Sequence, residues 1–278
     1  MKESIASLAK KHGIIPKKSL GQNFIYDMSL CRKISDSASI SSDDYILEIG
    51  PGTAGLTRAI AENNPKKLIL IEKDERCLSL LREVSDQYAH IEIAERDALE
   101  ISVQEIKVLF QIPRNKKIKI IANLPYNIAS KLITNWLSES YNIESMTLMV
   151  QKEVALRISS PVGVKSYGRL SVFCQITADV KILFDVAPEC FYPRPKVTSS
   201  IIRITPKENV PSKETLETLS QITQSAFSMR RKKIKTSLSD YLSKSNLDDD
   251  ALDLRAENLS PEDYLNYARL ILTINSPT

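Results

Sequence analysis

Apolar residues recur along the chain in two rhythms. Short runs rich in β-branched residues read as strands: Tyr45 to Ile49, Leu68 to Ile71 closed by Glu72, Ile91 to Ala94, Lys117 to Ile121, and Met146 to Val150. Between them the period lengthens to that of a helix, through Met28, Cys31, Ile34 and Ala38, then Leu56 to Ala61, Arg76 to Val84, Ile128 to Leu137, and Lys152 to Ile158. Near-continuous apolar strands alternating with helices predict a mostly parallel sheet covered on both faces. Leu170 to Ala178 continues as a helix. Val180 to Val186 and Ser199 to Ile204 are late strands, joined by the proline-rich loop from Pro188 to Pro195. These seven strands suit a doubly wound α/β sheet with one antiparallel member. Thr205 to Ser212 holds two prolines and no apolar period, so a domain boundary is expected there, with 1–205 before it and 206–278 after it. The second domain reads as all-helical: Leu216, Leu219, Ile222 and Ala226 line one face, and Ser260-Pro261-Glu262-Asp263 starts another helix. The polar stretch from Ser159 to Tyr167, with Pro161 and Gly163, is expected to be a mobile loop near the mouth of a site.

Composition narrows this picture. A chain of 278 residues, 42% hydrophobic, can bury a full core, and no stretch reaches the apolar length of a membrane span. Residues Met1 to Gly13 lack the apolar core of a signal peptide, so a cytoplasmic location is expected. Cys31, Cys77, Cys174 and Cys190 are far apart and form no C-x-x-C pair, which points to buried free thiols and to neither a metal site nor a disulfide framework. The net charge of +4 is mild, yet the cations are bunched: Lys10, Lys11, Lys17 and Lys18 near the start, then Arg230, Arg231, Lys232, Lys233 and Lys235. Such bunching marks either a phosphate-binding footprint or a solvated helix face.

The candidate chemistry lies at the strand ends. The first strand runs into Gly50-Pro51-Gly52-Thr53-Ala54-Gly55 and then a helix, the opening unit of a nucleotide-binding fold. Glu72 follows roughly 20 residues later, where a carboxylate accepts hydrogen bonds from ribose hydroxyls. Asp97, after the third strand, is either an acceptor for an adenine amine or a helix N-cap. The fourth strand ends at Asn123-Leu124-Pro125-Tyr126, where Pro125 forbids further pairing. A dinucleotide wants its pyrophosphate beside the glycines. The cationic sulfonium of S-adenosylmethionine instead suits Glu48 and the Asn-Leu-Pro-Tyr group. His12 and His90, the only histidines, lie away from the strand ends and read as surface residues. The Asn123 side-chain oxygen and the Leu124 carbonyl, both acceptors, suit the two N–H groups of an exocyclic amine, while Tyr126 and Phe191 are candidate stacking faces for an unstacked base or ordinary core.

With these residues in view, the chain resembles the ribosomal RNA adenine dimethyltransferase family. The matching segments are Lys18 to Phe24, Glu48 to Thr57, Ile71 to Asp74, Asp97 to Leu99, Asn123 to Ile128, Gln151 to Arg157, Tyr167 to Val172, Phe191 to Val197 and Phe227 to Lys232, in the family's order over nearly the entire length. The resemblance implies a Rossmann-like S-adenosylmethionine-dependent methyltransferase sheet of seven mostly parallel strands with a small all-helical C-terminal domain. It implies cofactor contacts from Asn23, Ile25, Gly50, Glu72, Asp97 and Asn123, and adenine handling by Asn123, Leu124, Pro125, Tyr126 and Phe191. It also implies transfer of two methyl groups to each of two neighbouring adenines in a terminal hairpin loop of small-subunit ribosomal RNA, as part of ribosome biogenesis. Lys17, Lys18, Arg230, Arg231, Lys232, Lys233 and Lys235 then become phosphate anchors. The expected partner is a precursor of the small ribosomal subunit, met by a monomer, with no membrane and no metal. Two rivals share parts of this reading: a methyltransferase of large-subunit RNA or DNA, disfavoured by the extended helical C-terminus, and an assembly factor whose catalysis is secondary. One departure from the family pattern is Ala54, where many members carry Gly.

Overall fold

A computed structural model describes residues 3–242 and 250–275. Nine strands occur among them: β1 (Phe24–Ile25), β2 (Tyr45–Ile49), β3 (Lys67–Glu72), β4 (Ile91–Glu95), β5 (Ile118–Asn123), β6 (Ile143–Gln151), β7 (Ala178–Val186), β8 (Phe191–Tyr192) and β9 (Ser199–Pro206). Seven form one sheet in the order β4-β3-β2-β5-β6-β9-β7, and the short β1 and β8 pair separately. Strands β2 to β6 run parallel through their shared registers, and β9 lies antiparallel to β6. The mostly parallel, doubly wound sheet expected from the alternation is therefore present. Its sequence-adjacent strands step outward from β2 to β4, and the chain then returns to place β5 on the other side of β2. This reversal of strand order is where open α/β sheets bind ligands, at their carboxyl edge.

Burial explains why these segments become strands. Ile46, Leu47, Leu68, Ile69, Leu70, Ile118, Ile120, Ile121 and Leu148 are wholly inaccessible, as expected for strands covered on both faces. The helices start where side chains cap them. Asp27 accepts from the backbone of Ser29 and Leu30 ahead of the helix Met28–Ser37, and Asp74 does the same ahead of Glu75–Ser85. Ser102 and Glu105 close a full capping box on Val103–Leu109. A helix that the periodic reading passes over, Ile5–Lys11, buries Ile5, Leu8 and Ala9 in the core beside Phe24, Ile25, Cys31 and Ile34.

The chain divides into two compact units, Met1–Ala155 with Lys181–Thr205 and Leu156–Val180 with Pro206–Thr278. The second unit thus takes 156–180 from within the range 1–205 that sequence reading assigns to the first. The helix Arg169–Thr177 explains this grouping, because it packs against Lys213–Ser228 and Pro261–Asn275. Within this unit Phe227 meets Tyr167 edge-on and lies tilted against Tyr264, at centroid separations of 6.0 and 5.8 Å. The two buried tyrosine hydroxyls donate to the carbonyls of Leu259 (2.9 Å) and Ala256 (2.8 Å), so neither polar tip is left unpaired. The loop 159–167 is tied inside the same unit. Ser160 Oγ donates to Ser166 Oγ, Gln175 Nε2 donates to the Ser160 carbonyl, and the Gly163 N–H donates to the Glu257 carbonyl. The histidines are less exposed than sequence reading has them. His12 is bonded through Nε2 to Glu83 (2.7 Å), and His90 is half-buried edge-on against Tyr88.

Candidate active site

Four neighbouring strand ends of the first unit open into one cavity. At the end of β2, Gly50 adopts φ +64, a left-handed conformation that glycine takes without strain. A Cβ placed there would meet nothing within 4 Å, so the missing side chain leaves the backbone facing open space. At the end of β3, Glu72 is 6% exposed and its carboxylate is locked by the backbone. Oε1 accepts from the N–H groups of Lys73 (2.9 Å) and Asp74 (2.8 Å), and Oε2 accepts from Gly52 N–H (3.1 Å). Burial raises this carboxyl above its ordinary range, and the three amide bonds offset part of that rise. Beyond β4, Asp97 Oδ1 accepts from Leu99 N–H (2.9 Å) and Oδ2 holds the Lys73 ammonium (2.6 Å). The Lys73 bond is the main reason that Asp97 lies below the usual carboxylate range.

At the end of β5, the Asn123 amide has a defined direction. Nδ2 donates to the Asn23 carbonyl at 3.0 Å, which leaves Oδ1 as an acceptor with no partner among the described residues. Leu124 N–H extends the pairing by one bond, to the Met149 carbonyl at 3.2 Å. Pro125 then stops it, and the Leu124 carbonyl accepts no hydrogen bond among the described residues. Tyr126 is anchored through its hydroxyl to Ser199 Oγ at 2.7 Å, which fixes the ring at the cavity wall. Two adjacent unpaired acceptors beside an aromatic face form a site for an amine on a planar ring.

Asn23, Gly50, Glu72, Asp97, Asn123, Leu124, Pro125 and Tyr126 are therefore brought together. Ile25 and Phe191 do not line the cavity. They face each other across the β1–β8 pair, 5% exposed in each case, and the alternation of β8 turns Tyr192 outward while Phe191 enters the core. Glu48 also differs from its expected role as a counter-charge. It is 1% exposed beneath the glycine turn and outside the cavity lining, with Oε2 unpartnered. Burial, reinforced by the charge of Glu72 and partly offset by Thr57, pushes it up to about 8, so it is mainly neutral at pH 7. Sequence reasoning gives no site role to Gln22, Lys73, Asp74, Arg96 or Asn127, all of which stand in the lining. Asn127 follows the Asn-Leu-Pro-Tyr group directly and was within reach of that motif, whereas Gln22 in its arm carries no periodic or spacing signal.

The basic residues are described within their own units. Lys17 is exposed in the first unit, and the side chain of Lys18 lies outside the described residues. In the second unit, Arg230 pairs with Glu257 (2.7 Å), and Lys233 and Lys235 share Asp253 (3.2 and 2.6 Å). Arg231 and Lys232 are exposed with no ion pair among the described residues.

The cavity fits S-adenosylmethionine on its own features. A buried carboxylate suited to ribose hydroxyls, a second at the next strand end, and a glycine whose Cβ position is open stand side by side. No helix among the described residues is long and apolar enough to cross a membrane. The family described as Ribosomal RNA adenine dimethylase matches residues 15–272. The chain is 38% identical over 274 residues to Ribosomal RNA small subunit methyltransferase A of Sinorhizobium fredii, covering 96% of this chain and 90% of the relative. It is 41% identical over 274 residues to the protein of the same name from Brucella melitensis, covering 96% and 97%. Among solved structures, a dimethyladenosine transferase from Plasmodium falciparum superposes with TM-score 0.72 at 25% identity, covering 90% of this chain and 97% of that one. The 23S rRNA methyltransferase ErmE shares the fold with TM-score 0.65 at 24% identity, covering 90% and 99%. With most of its length matched, the chain belongs to the ribosomal RNA adenine dimethylase family.

Proposed function

We propose that this S-adenosylmethionine-dependent methyltransferase dimethylates the exocyclic amines of two adjacent adenines in the terminal hairpin loop of small-subunit ribosomal RNA. The observation that carries the chemistry is the Asn123 amide, held by its nitrogen end with its oxygen end unpartnered beside the Leu124 carbonyl. The name shared by the curated relatives supports the choice of small-subunit RNA.

The cofactor supplies an electrophilic methyl group when bound. Glu72, already rigid in its three amide bonds, and Asp97 are the groups that would hold its ribose and adenine. The target nitrogen is a weak nucleophile because its lone pair is delocalised into the purine. In the first transfer two N–H bonds, to Asn123 Oδ1 and the Leu124 carbonyl, turn that lone pair out of the ring and favour the tetrahedral nitrogen of the transition state, and in the second the single remaining N–H bonds one of these acceptors. As the nitrogen–carbon bond forms, the methyl group's bond to the cofactor sulfur would break and leave a neutral thioether; the nitrogen, acidic while it carries the positive charge, sheds a proton to water, so no strong base is needed. Tyr126, its hydroxyl tied to Ser199, offers one face to the unstacked base. Phe191, buried in the pairing of β8 with β1 and outside the cavity lining, has no contact with the base in this reading.

Loop adenines suit this site because protein side chains read RNA best where bases are unpaired. The exposed Arg231 and Lys232 are the foremost candidates for phosphate anchors in the second unit, with Lys17 in the first. The physiological partner is a precursor of the small ribosomal subunit, met in the cytoplasm by a monomer. The deciding experiment incubates the protein with labelled S-adenosylmethionine and undermethylated small subunits, large subunits or DNA, and maps the modified nucleotide. Label in two adjacent small-subunit adenines is expected. Label confined to large subunits or DNA would move the enzyme to the rival substrate.

A further inference from the structure

The arm ahead of β1 lines the cavity through Ser19, Gly21, Gln22 and Asn23, yet it belongs to no strand or long helix that would hold it there. Its fixation comes from side chains. Gln22 Nε2 donates to Asp74 Oδ2 at 2.8 Å, while Gln22 Oε1 accepts from Lys17 N–H at 2.9 Å and from Arg76 Nη2 at 3.4 Å. Arg76 grips Asp74 with Nε (2.8 Å) and Nη2 (2.5 Å) and reaches the arm's main chain by donating from Nη1 to the Ile15 carbonyl (2.9 Å). Asp74 is itself 7% exposed, and its N–H bonds the Glu72 carboxylate. Burial raises the Asp74 carboxyl, but the bonds from Arg76 and Gln22 outweigh it and leave the group below its ordinary value. At the opposite wall the same arm is met by Asn123 Nδ2, through the Asn23 carbonyl.

We propose that Gln22 and Arg76 are positioning residues that, with Asp74, clamp the arm across the cofactor cavity and thereby hold the Asn23 carbonyl where it sets the Asn123 amide. An amide without a fixed partner can present either end. Its NH2 end would oppose the N–H groups of adenine, whereas its oxygen end accepts one of them. Because the Asn23 carbonyl takes Nδ2, the clamped arm leaves Oδ1 for the substrate. The arm also forms part of the cavity lining, so its displacement both opens the cofactor site and releases the Asn123 amide. Enclosure of the cofactor and readiness for the amine are thus one event. The second half of this proposal rests on the role given to Asn123 above.

Two substitutions separate the parts. Gln22→Met keeps the side chain's length without its amide, and Arg76→Lys keeps the charge without the planar fork. Affinity for S-adenosylhomocysteine, measured by calorimetry on the full chain without RNA, is expected to fall about 10- to 100-fold in each, the range for losing a hydrogen bond to a charged group. Hydrogen exchange of residues 15–23 is expected to accelerate, with the thermal midpoint near that of the unsubstituted protein. Under saturating cofactor, Gln22→Met is expected to lower kcat in the otherwise unchanged enzyme and to have little further effect in an Asn123→Ala background. Unchanged S-adenosylhomocysteine affinity in both variants overturns the clamp. An equal kcat loss in both backgrounds overturns the link through Asn123. Unimpaired turnover in Asn123→Ala alone overturns the amine-recognition reading and the link together, while the affinity measurement still judges the clamp by itself.

Discussion

At Asn123 a single hydrogen bond decides which chemistry the residue can perform. One Nδ2 N–H is committed to the Asn23 carbonyl, which fixes the direction of the amide and leaves its oxygen to accept from a substrate amine. Asn123→Ala is therefore expected to fold normally and to lose at least about 2.7 kcal/mol of transition-state stabilisation, roughly 100-fold in kcat, by analogy with removal of one preorganised polar group. Steady-state methylation of undermethylated small subunits checks it, and turnover within a few-fold of the unsubstituted enzyme would sink the assignment. Glu48 shows the opposite case, a carboxyl whose burial removes its charge. Its folded value of about 8 lies above its unfolded value, so between pH 4.5 and 8 the folded state binds the extra proton. Stability should then fall as pH rises through that window, by at most about 1.4 kcal/mol per pH unit from this group. Glu48→Gln reproduces the protonated form and is expected to flatten that part of the profile in denaturant titrations. Equal slopes in the two proteins would show that Glu48 ionises freely.

The glycine turn shows how local elements divide their tasks. Ala54 occupies a left-handed conformation, φ +60, at the N-cap of the helix Gly55–Ala61, and is fully buried. Gly55 needs no such conformation. A Cβ there would sit 2.8 Å from Ile5 Cδ1, 3.0 Å from the Ile25 carbonyl and 3.2 Å from Cys31 Sγ, so this glycine permits close packing of three elements. The Ile5 methyl can swing aside, but the Ile25 carbonyl is main chain of β1. Gly55→Ala is expected to destabilise the protein by about 1 to 3 kcal/mol, the usual range for overpacking, seen as a lower denaturant midpoint. An unchanged midpoint would mean that β1 yields without strain. This contact also marks the limit of legibility. The five parallel strands and the glycine turn are readable because burial on two faces writes a continuous apolar run. Asn123 and Glu72 are readable because strand ends are fixed by such runs. The two-residue β1 and β8, by contrast, pair Ile25 with Phe191 across a long sequence separation, and no local pattern announces it. The helix 103–109 has a legible start in Ser102-Val103-Gln104-Glu105, and Ile5, Leu8 and Ala9 carry a helical spacing. Their shortness hides both from a search for long periodic segments.

For the whole molecule, the charge pattern of the second unit refines what the sequence offers as one basic run. Arg230, Lys233 and Lys235 face Glu257 and Asp253, whereas Arg231 and Lys232 have no such neighbours among the described residues. Exposed ion pairs are weak and exchange partners readily, so a paired lysine can still approach a phosphate. Its carboxylate comes with it, however, and reduces the net number of counterions released. Each free cation that reaches a phosphate contributes about 0.7 to 0.9 to the slope of log affinity against log salt. Replacing Arg231 and Lys232 by alanine is therefore expected to reduce the slope by between about 1.4 and 1.8 if both make such contacts. Replacing Lys233 and Lys235 leaves Asp253 behind as an uncompensated negative charge. That pair of substitutions should weaken binding at low salt mainly through repulsion, and adding Asp253→Asn should recover part of the loss. Titration of small subunits or their RNA across a salt series distinguishes the two patterns. If both double variants shift the slope equally and Asp253→Asn restores nothing, the ion pairs do not distinguish the cations, and the five act as one diffuse footprint.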